Sequence, residues 1–322
     1  MRILIAGGFG FVGGRLAVHL AQAGHQIVLG SRNTRSSPDW LPKEDVVRIV
    51  WDDVLTLESC CNKVDVVIQA AGMNAKECAA DPVAALEFNG LATARLVASA
   101  GQAGVNRFIY LSTAHVYASP LLGTITEETC PRNLHPYATS HLAGEHAVLS
   151  ASQHAQIDGI VLRLSNAFGA PMRKDENCWM LMVNDLCRQA VQTGRLVLQT
   201  SGLQQRDFVC MTEVCRVAES LVVGDGPSTK LSIFNVGAGI SQSVLEMAQL
   251  IQQRCTQVLG FEPVLQHKQG GLDEQHRTLT YRTDSLNSLG ISSKNLDNIG
   301  EIDRLLQFCQ VSFTQNRAKI NE

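Results

Sequence analysis

The most constraining feature of this chain is the run Gly7-Gly8-Phe9-Gly10-Phe11-Val12-Gly13. It separates an apolar stretch, Arg2–Ala6, from Val12, Leu16, Leu20 and Ala23, which recur at helical spacing until Gly24. A strand, a glycine turn and a helix in that order form the first half of a βαβ unit. The run fits G-x-x-G-x-x-G from Gly7 or G-x-G-x-x-G from Gly8, and the chemistry is the same either way. Glycines permit a tight turn, close packing of helix on strand and close approach of the backbone to a phosphate. The helix N-terminus then offers free N–H donors to a pyrophosphate. The expectation is a dinucleotide site built from Gly7, Gly10, Phe11, Val12 and Gly13.

Further short apolar runs follow: Ile27–Leu29, Val46–Val50, Val64–Gln69, Phe108–Leu111 and Ile160–Leu164. They are rich in Val and Ile and nearly free of charge, as strands buried on both faces should be. Between them lie helical stretches. One is capped by Asp81, opened by Pro82 and ended by Gly104; another starts near Pro136 and runs to Ser152. The alternation predicts an α/β fold, a doubly wound parallel Rossmann sheet with a smaller α/β substrate-binding lobe. The expected dinucleotide-binding domain comprises 1–165 plus about 207–236. The substrate lobe takes about 166–206 plus 237–314, with helices near Trp179–Thr193, Val244–Cys255 and Ile302–Cys309. Residues 315–322 form a polar, flexible tail.

Composition narrows the partners. With 27 Lys and Arg against 30 Asp and Glu, the net charge of −3 gives no general attraction to nucleic acid or anionic membrane. No apolar run is long enough to span a bilayer. The ten cysteines are scattered, with no C-x-x-C spacing. They read as reduced, small hydrophobic residues of a cytoplasmic protein rather than as metal ligands. No metal is expected.

The end of the second strand bears on the choice of coenzyme. Gly30-Ser31-Arg32-Asn33 and then Arg35 carry no acid before Asp39. A carboxylate there would bind a ribose 2′-hydroxyl, whereas a hydroxyl and guanidiniums suit a 2′-phosphate. NADP is favoured, with NAD possible. Asp53 and Val54, after the third strand, are placed to meet the adenine end.

Several further motifs stand in order: Gln69-Ala70-Ala71-Gly72, Asn89-Gly90, Leu111-Ser112-Thr113-Ala114-His115-Val116-Tyr117, Tyr137, Arg163-Leu164-Ser165-Asn166-Ala167-Phe168-Gly169, Arg206-Asp207-Phe208-Val209 and Asn235-Val236-Gly237-Ala238-Gly239. With the glycine loop, they make the chain resemble the extended short-chain dehydrogenases/reductases from Met1 to roughly Gly290. The likeness is strongest to the nucleotide-sugar epimerases and dehydratases. It implies that Tyr137 is the acid/base and that Thr113 shares its hydrogen bond to the substrate oxygen. It adds Ala70, Ala71, Gly72, Asn89, Ser112, Tyr137 and His141 to the coenzyme contacts. It assigns Asn166, Asn177, Arg206 and Lys268 to a nucleoside-diphosphate sugar. It also implies a homodimer, formed through the helices matching Asp81–Gly104 and Pro136–Ser152.

Two departures from the family pattern matter. The family's Tyr-x-x-x-Lys reads Tyr137-Ala138-Thr139-Ser140-His141 here, so an imidazole replaces the ammonium one turn along the helix. An imidazole of ordinary pKa is mostly neutral at pH 7 and supplies little charge. The Asp-Glu pair of the sugar 4,6-dehydratases is replaced by Ala114-His115, which removes the acid that protonates the leaving hydroxyl. The expected activity is therefore 4-epimerisation or 4-ketoreduction of a nucleoside-diphosphate sugar rather than dehydration. Two alternatives stand beside it: a dinucleotide-binding member without activity, and a reductase of a non-sugar carbonyl.

Overall fold

The computed structural model describes residues 1–224, 232–269, 278–291 and 297–314. The tail expected over 315–322 lies outside the described residues. The first half of the chain runs β1 (Arg2–Ala6), α1 (Phe11–Gln22), β2 (Gln26–Ser31), β3 (Asp45–Arg48), α2 (Val54–Cys61), β4 (Val66–Gln69), α3 (Ala75–Ala80) and α4 (Pro82–Ala85). A π-helical turn over Leu86–Leu91 leads into α5 (Ala92–Gln102), β5 (Arg107–Thr113), β6 (Gly123–Ile125), α6 (Pro136–Gln153) and β7 (Asp158–Leu164). Then come β8 (Asn166–Phe168), α7 (Met182–Thr193), β9 (Arg195–Val197), β10 (Gln205–Cys210), α8 (Met211–Val223) and β11 (Ile233–Val236). The remainder is β12 (Ser241–Ser243), α9 (Val244–Leu259), β13 (Val264–Gln266), β14 (Leu279–Tyr281), α10 (Asp284–Ser288) and α11 (Asn298–Phe313).

Seven strands make one parallel sheet in the order β11-β7-β5-β4-β1-β2-β3. Alternate residues of each strand face opposite sides, so each side carries its own core. Ile3, Ile5, Ile27, Leu29, Ile68 and Ile109 pack with Leu16 and Leu20 of α1 and Val214 and Ala218 of α8. Leu4, Val28, Val67, Phe108 and Tyr110 face the other way, onto Leu57 of α2, Leu96 and Val97 of α5 and Val148 of α6. The chain order reverses between β4 and β1, which opens a crevice at the carboxyl ends of these two strands, the usual ligand site of such sheets. A third core gathers α7, α9 and α11 around Phe208 of β10 and Leu196 of β9. In this smaller unit β10 pairs with β8 and β12, and α8 and β11 return to the large sheet.

The helix expected from Asp81 to Gly104 is not regular. Asp81 caps it, accepting the Ala84 amide at 3.0 Å, but the π-helical turn interrupts it around Asn89. Such insertions rotate the following side chains and are frequent at functional sites. All ten cysteines are free and nine are buried. Among the described residues, no helix is long and apolar enough to cross a membrane.

The two units are pinned beside the glycine loop. Glu301 of α11 is fully buried and receives Arg15 of α1 through Oε1 at 2.6 Å. It also accepts the Thr212 hydroxyl at 2.6 Å and the Ala170 amide at 3.3 Å. The first helix after the glycine loop is thereby tied to the last helix of the smaller unit.

Candidate active site

The glycine loop satisfies its own packing first. Gly7 has φ of +83°, and a Cβ there would stand 2.7 Å from the Ala71 amide nitrogen. A Cβ on Gly13 would come within 2.2 Å of the Gly7 carbonyl oxygen. These two glycines are thus required by strand and helix packing. Gly10 is exposed and its Cβ position meets nothing closer than 3.3 Å, so its surface is free for a ligand. It starts α1 without any side-chain cap, which leaves the first helical N–H groups for an external acceptor. Ala70, Ala71 and Gly72 line the same crevice from the end of β4. These features fit the pyrophosphate of a dinucleotide.

Around the crevice mouth, Ser31 ends β2, and Arg32 and Arg35 are exposed beyond it. Arg32 lies over the Phe88 ring at 5.6 Å and Arg35 over Phe9 at 5.0 Å, and neither makes an ion pair among the described residues. Asp53 caps α2, taking the Leu55 amide at 3.1 Å and the Thr56 hydroxyl at 2.5 Å. The Thr56 hydroxyl holds the Asp53 carboxyl below the usual carboxylate range. Val54 is exposed beside it.

Tyr137 enters at the first turn of α6. His135 caps that helix, its Nδ1 accepting the Tyr137 amide at 3.1 Å, and Pro136 supplies a preset first residue. The phenol faces the hydroxyl of Thr113 at the end of β5, a neighbour that favours the phenolate. Desolvation outweighs that help and pushes the phenol up to about 12. His141 lies one turn on, edge to face with the Tyr137 ring at 4.6 Å between centroids. Burial pulls its imidazole down to about 4, so it is neutral at physiological pH. Asn89, presented by the π-helical turn, accepts the Met73 amide at 2.8 Å and donates to the Ser140 hydroxyl at 3.0 Å. It holds α6 against the end of β4.

Other positions singled out by sequence behave differently. Ser112 turns its hydroxyl away from Thr113 and donates to the buried carboxylate of Glu145. Asn166 donates its amide to the Asp207 carbonyl at 2.8 Å, tying β8 to β10. Asp207 does not pair with Arg206. It is fully buried, takes the Ser165 hydroxyl at 2.5 Å and the amides of Ala238 and Gly239 at 2.8 Å each. Arg206 is half-buried without an ion-pair partner among the described residues, and its charge reaches His115, the second residue after Thr113. Asn177 and Lys268 are exposed on the smaller unit. Sequence reading missed Tyr110 and Glu145 and gave Arg163 no role of its own, although Tyr110 meets His141 and Glu145 pairs with Arg163 along α6. No local pattern marks Tyr110 or Glu145, because their partners are distant in the chain.

The parallel strand order, the crevice at its switch point and the glycine turn beneath it define a Rossmann-type α/β protein. More narrowly, residues 3–237 match the NAD dependent epimerase/dehydratase family, and the chain belongs to it. It is 26% identical over 260 residues to dTDP-6-deoxy-L-talose 4-dehydrogenase (NAD(P)(+)) of Kitasatospora kifunensis, with 78% of each chain covered. It is also 26% identical over 254 residues to a putative UDP-glucose 4-epimerase of Methanocaldococcus jannaschii, covering 78% of this chain and 81% of that one. Among solved structures, the epimerase Mth375 of Methanothermobacter thermautotrophicus superimposes with a TM-score of 0.80 at 23% identity, covering 99% of this chain and 94% of that one. MoeE5 in complex with UDP-glucose and NAD gives a TM-score of 0.77 at 22% identity, covering 97% and 99%. The relatives include 4-epimerases, a 4-dehydrogenase and 4,6-dehydratases.

Proposed function

We propose that this protein is an NAD(P)-dependent 4-epimerase or 4-ketoreductase of a nucleoside-diphosphate sugar. The observation that carries the reading is the Tyr137 phenol facing the Thr113 hydroxyl at the crevice, with Ala114-His115 following in place of an acid pair. The bound nicotinamide supplies hydride acceptance or donation at the sugar carbon. Tyr137 moves the matching proton at the sugar oxygen, and Thr113 orients that oxygen by a second hydrogen bond. Gly7, Gly10 and Gly13 with the amides of Phe11 and Val12 hold the pyrophosphate. Arg206, without an ion-pair partner among the described residues, offers its guanidinium to the sugar-bound diphosphate, a planar fork suited to paired, charge-assisted bonds. With Ala114-His115 following Thr113 in place of the acid pair, elimination of water lacks its usual acid, which supports epimerisation or reduction over dehydration.

Arg32 and Arg35, which make no ion pair among the described residues, support NADP over NAD. A thermal-shift panel with NAD(H), NADP(H) and nucleoside diphosphates tests both pockets together. A ligand present at about 100 times its Kd stabilises the fold by about 2.7 kcal/mol, so each pocket that binds raises Tm. NADPH is expected to give the largest rise, and Arg32→Ala to remove its advantage over NADH. A flat response to every coenzyme sinks the assignment. A response to coenzyme with no turnover of any nucleotide sugar favours the reading that His141 marks a member retained only for binding.

The face formed by α4, the π-helical turn and α5 leaves Val83, Leu86 and Leu91 exposed at 66%, 49% and 46%. This apolar row supports pairing of two copies through these helices and α6 as a four-helix bundle. Size separation with light scattering should return about twice the chain mass of 35.0 kDa; a particle of single-chain mass rules out the dimer.

A further inference from the structure

Tyr110 lies on β5, fully buried, three residues before Thr113 and on the face away from α1. Its hydroxyl stands 2.9 Å from His141 Nδ1. A Cβ at position 144 would come within 2.7 Å of that hydroxyl oxygen, so Gly144 of α6 leaves the room it needs. The hydroxyl of Thr93, on α5, faces the same oxygen. Thr93 Oγ1 in turn accepts from Gln69 Nε2 at 3.3 Å.

Each hydroxyl has a single proton, and an amide nitrogen can only donate. With Gln69 donating to Thr93, one arrangement of the two hydroxyl protons runs from Thr93 to Tyr110 and from Tyr110 to Nδ1, every bond pointing the same way. A neutral imidazole that accepts at Nδ1 carries its proton on Nε2. That nitrogen is on the crevice side of the ring, 3.8 Å from where a Cβ on Gly72 would stand.

We propose that Tyr110 is a positioning residue that locks His141 in the Nε2–H tautomer, so that an uncharged imidazole presents a fixed hydrogen-bond donor to the coenzyme crevice. The role replaces electrostatics with geometry. A buried ammonium at 141 would act on the Tyr137 phenol through its charge. A neutral imidazole acts through the direction of one N–H bond, and that direction depends on the partner at its other nitrogen. The part of the proposal that concerns coenzyme rests on the coenzyme-binding reading above; the tautomer does not.

Long-range 1H–15N correlation spectra of the 15N-labelled protein, recorded without coenzyme, read the tautomer directly. The His141 signals are assigned by their loss in His141→Gln. The expected result at pH 7 is an unprotonated Nδ1 and a protonated Nε2. Tyr110→Phe should mix the two tautomers and weaken coenzyme binding about tenfold, the share of one neutral hydrogen bond. Thr93→Val breaks the chain one step further back, without altering the aromatic packing, and should shift the tautomer ratio in the same direction. A protonated Nδ1 in the unaltered protein overturns the proposal, as does a tautomer unchanged in either variant that folds. If coenzyme fails to bind at all while the spectra behave as stated, the coenzyme reading has failed and the tautomer lock stands.

Discussion

Replacing Tyr137 by phenylalanine should lower kcat with the true nucleotide sugar by about 10²–10⁴-fold, the range expected for removing a general acid/base, while leaving coenzyme affinity nearly unchanged. The ring remains against His141, so packing is preserved and only the hydroxyl is lost. Thr113 still orients the sugar oxygen but cannot hand on the proton at the required rate. The pH profile carries a second mark. Burial pulls His141 down to about 4, so it gains no charge between pH 5 and 8 and contributes no inflection near 6.5. Burial pushes the Tyr137 phenol up to about 12, so in the oxidising direction, where it must accept a proton, the rate should climb with pH above neutrality. The positive charge of oxidised nicotinamide moves that rise to lower pH by favouring the phenolate. Steady-state rates from pH 6 to 10 check this. A Tyr137→Phe enzyme that keeps more than half the original rate excludes the phenol as acid/base.

Glu145→Ala should destabilise the fold by about 3–5 kcal/mol, because it strands a buried guanidinium. Tyr137, His141 and Glu145 are spaced four apart along one face of α6. Glu145 has no exposed surface and receives Arg163 Nη2 at 2.5 Å and Arg163 Nε at 3.0 Å, together with the Ser112 hydroxyl. Arg163 sits over the Tyr117 ring at 4.7 Å, which stacks its cation on an aromatic face. Chemical denaturation with a constant m-value measures the loss. Glu145→Ala combined with Arg163→Met removes both charges and should recover a large part of it, since the cost lies in the unpaired ion. A single-variant loss below 1 kcal/mol would mean that water reaches Arg163 and that the pair is not the anchor of α6. Because α6 also carries Tyr137, the single variant should lose activity at temperatures where it is still folded.

Sequence alone determined whatever rests on neighbours in the chain. The glycine turn follows from one short run of residues whose strand and helix are adjacent. The Asp81 cap, Pro136 as a first helical residue and the Tyr137–His141 spacing depend on contacts within one helical turn. The central strands were legible because burial on both faces leaves a continuous apolar signature. Tertiary structure alone decided the rest. Tyr110 meets His141 across 31 positions, Ser112 meets Glu145 across 33, and Arg15 meets Glu301 across 286. The short strands β6 and β14 are three residues each, too brief for a periodic pattern, and exist because each pairs with the other. The π-helical turn that carries Asn89 to Met73 and Ser140 likewise packs closely against α6, where Gly90 stands beside Ala143. A bond between distant residues depends on where the whole sheet carries each of them. No local propensity encodes that position, and the charge state and direction of the groups around Tyr137 are fixed there.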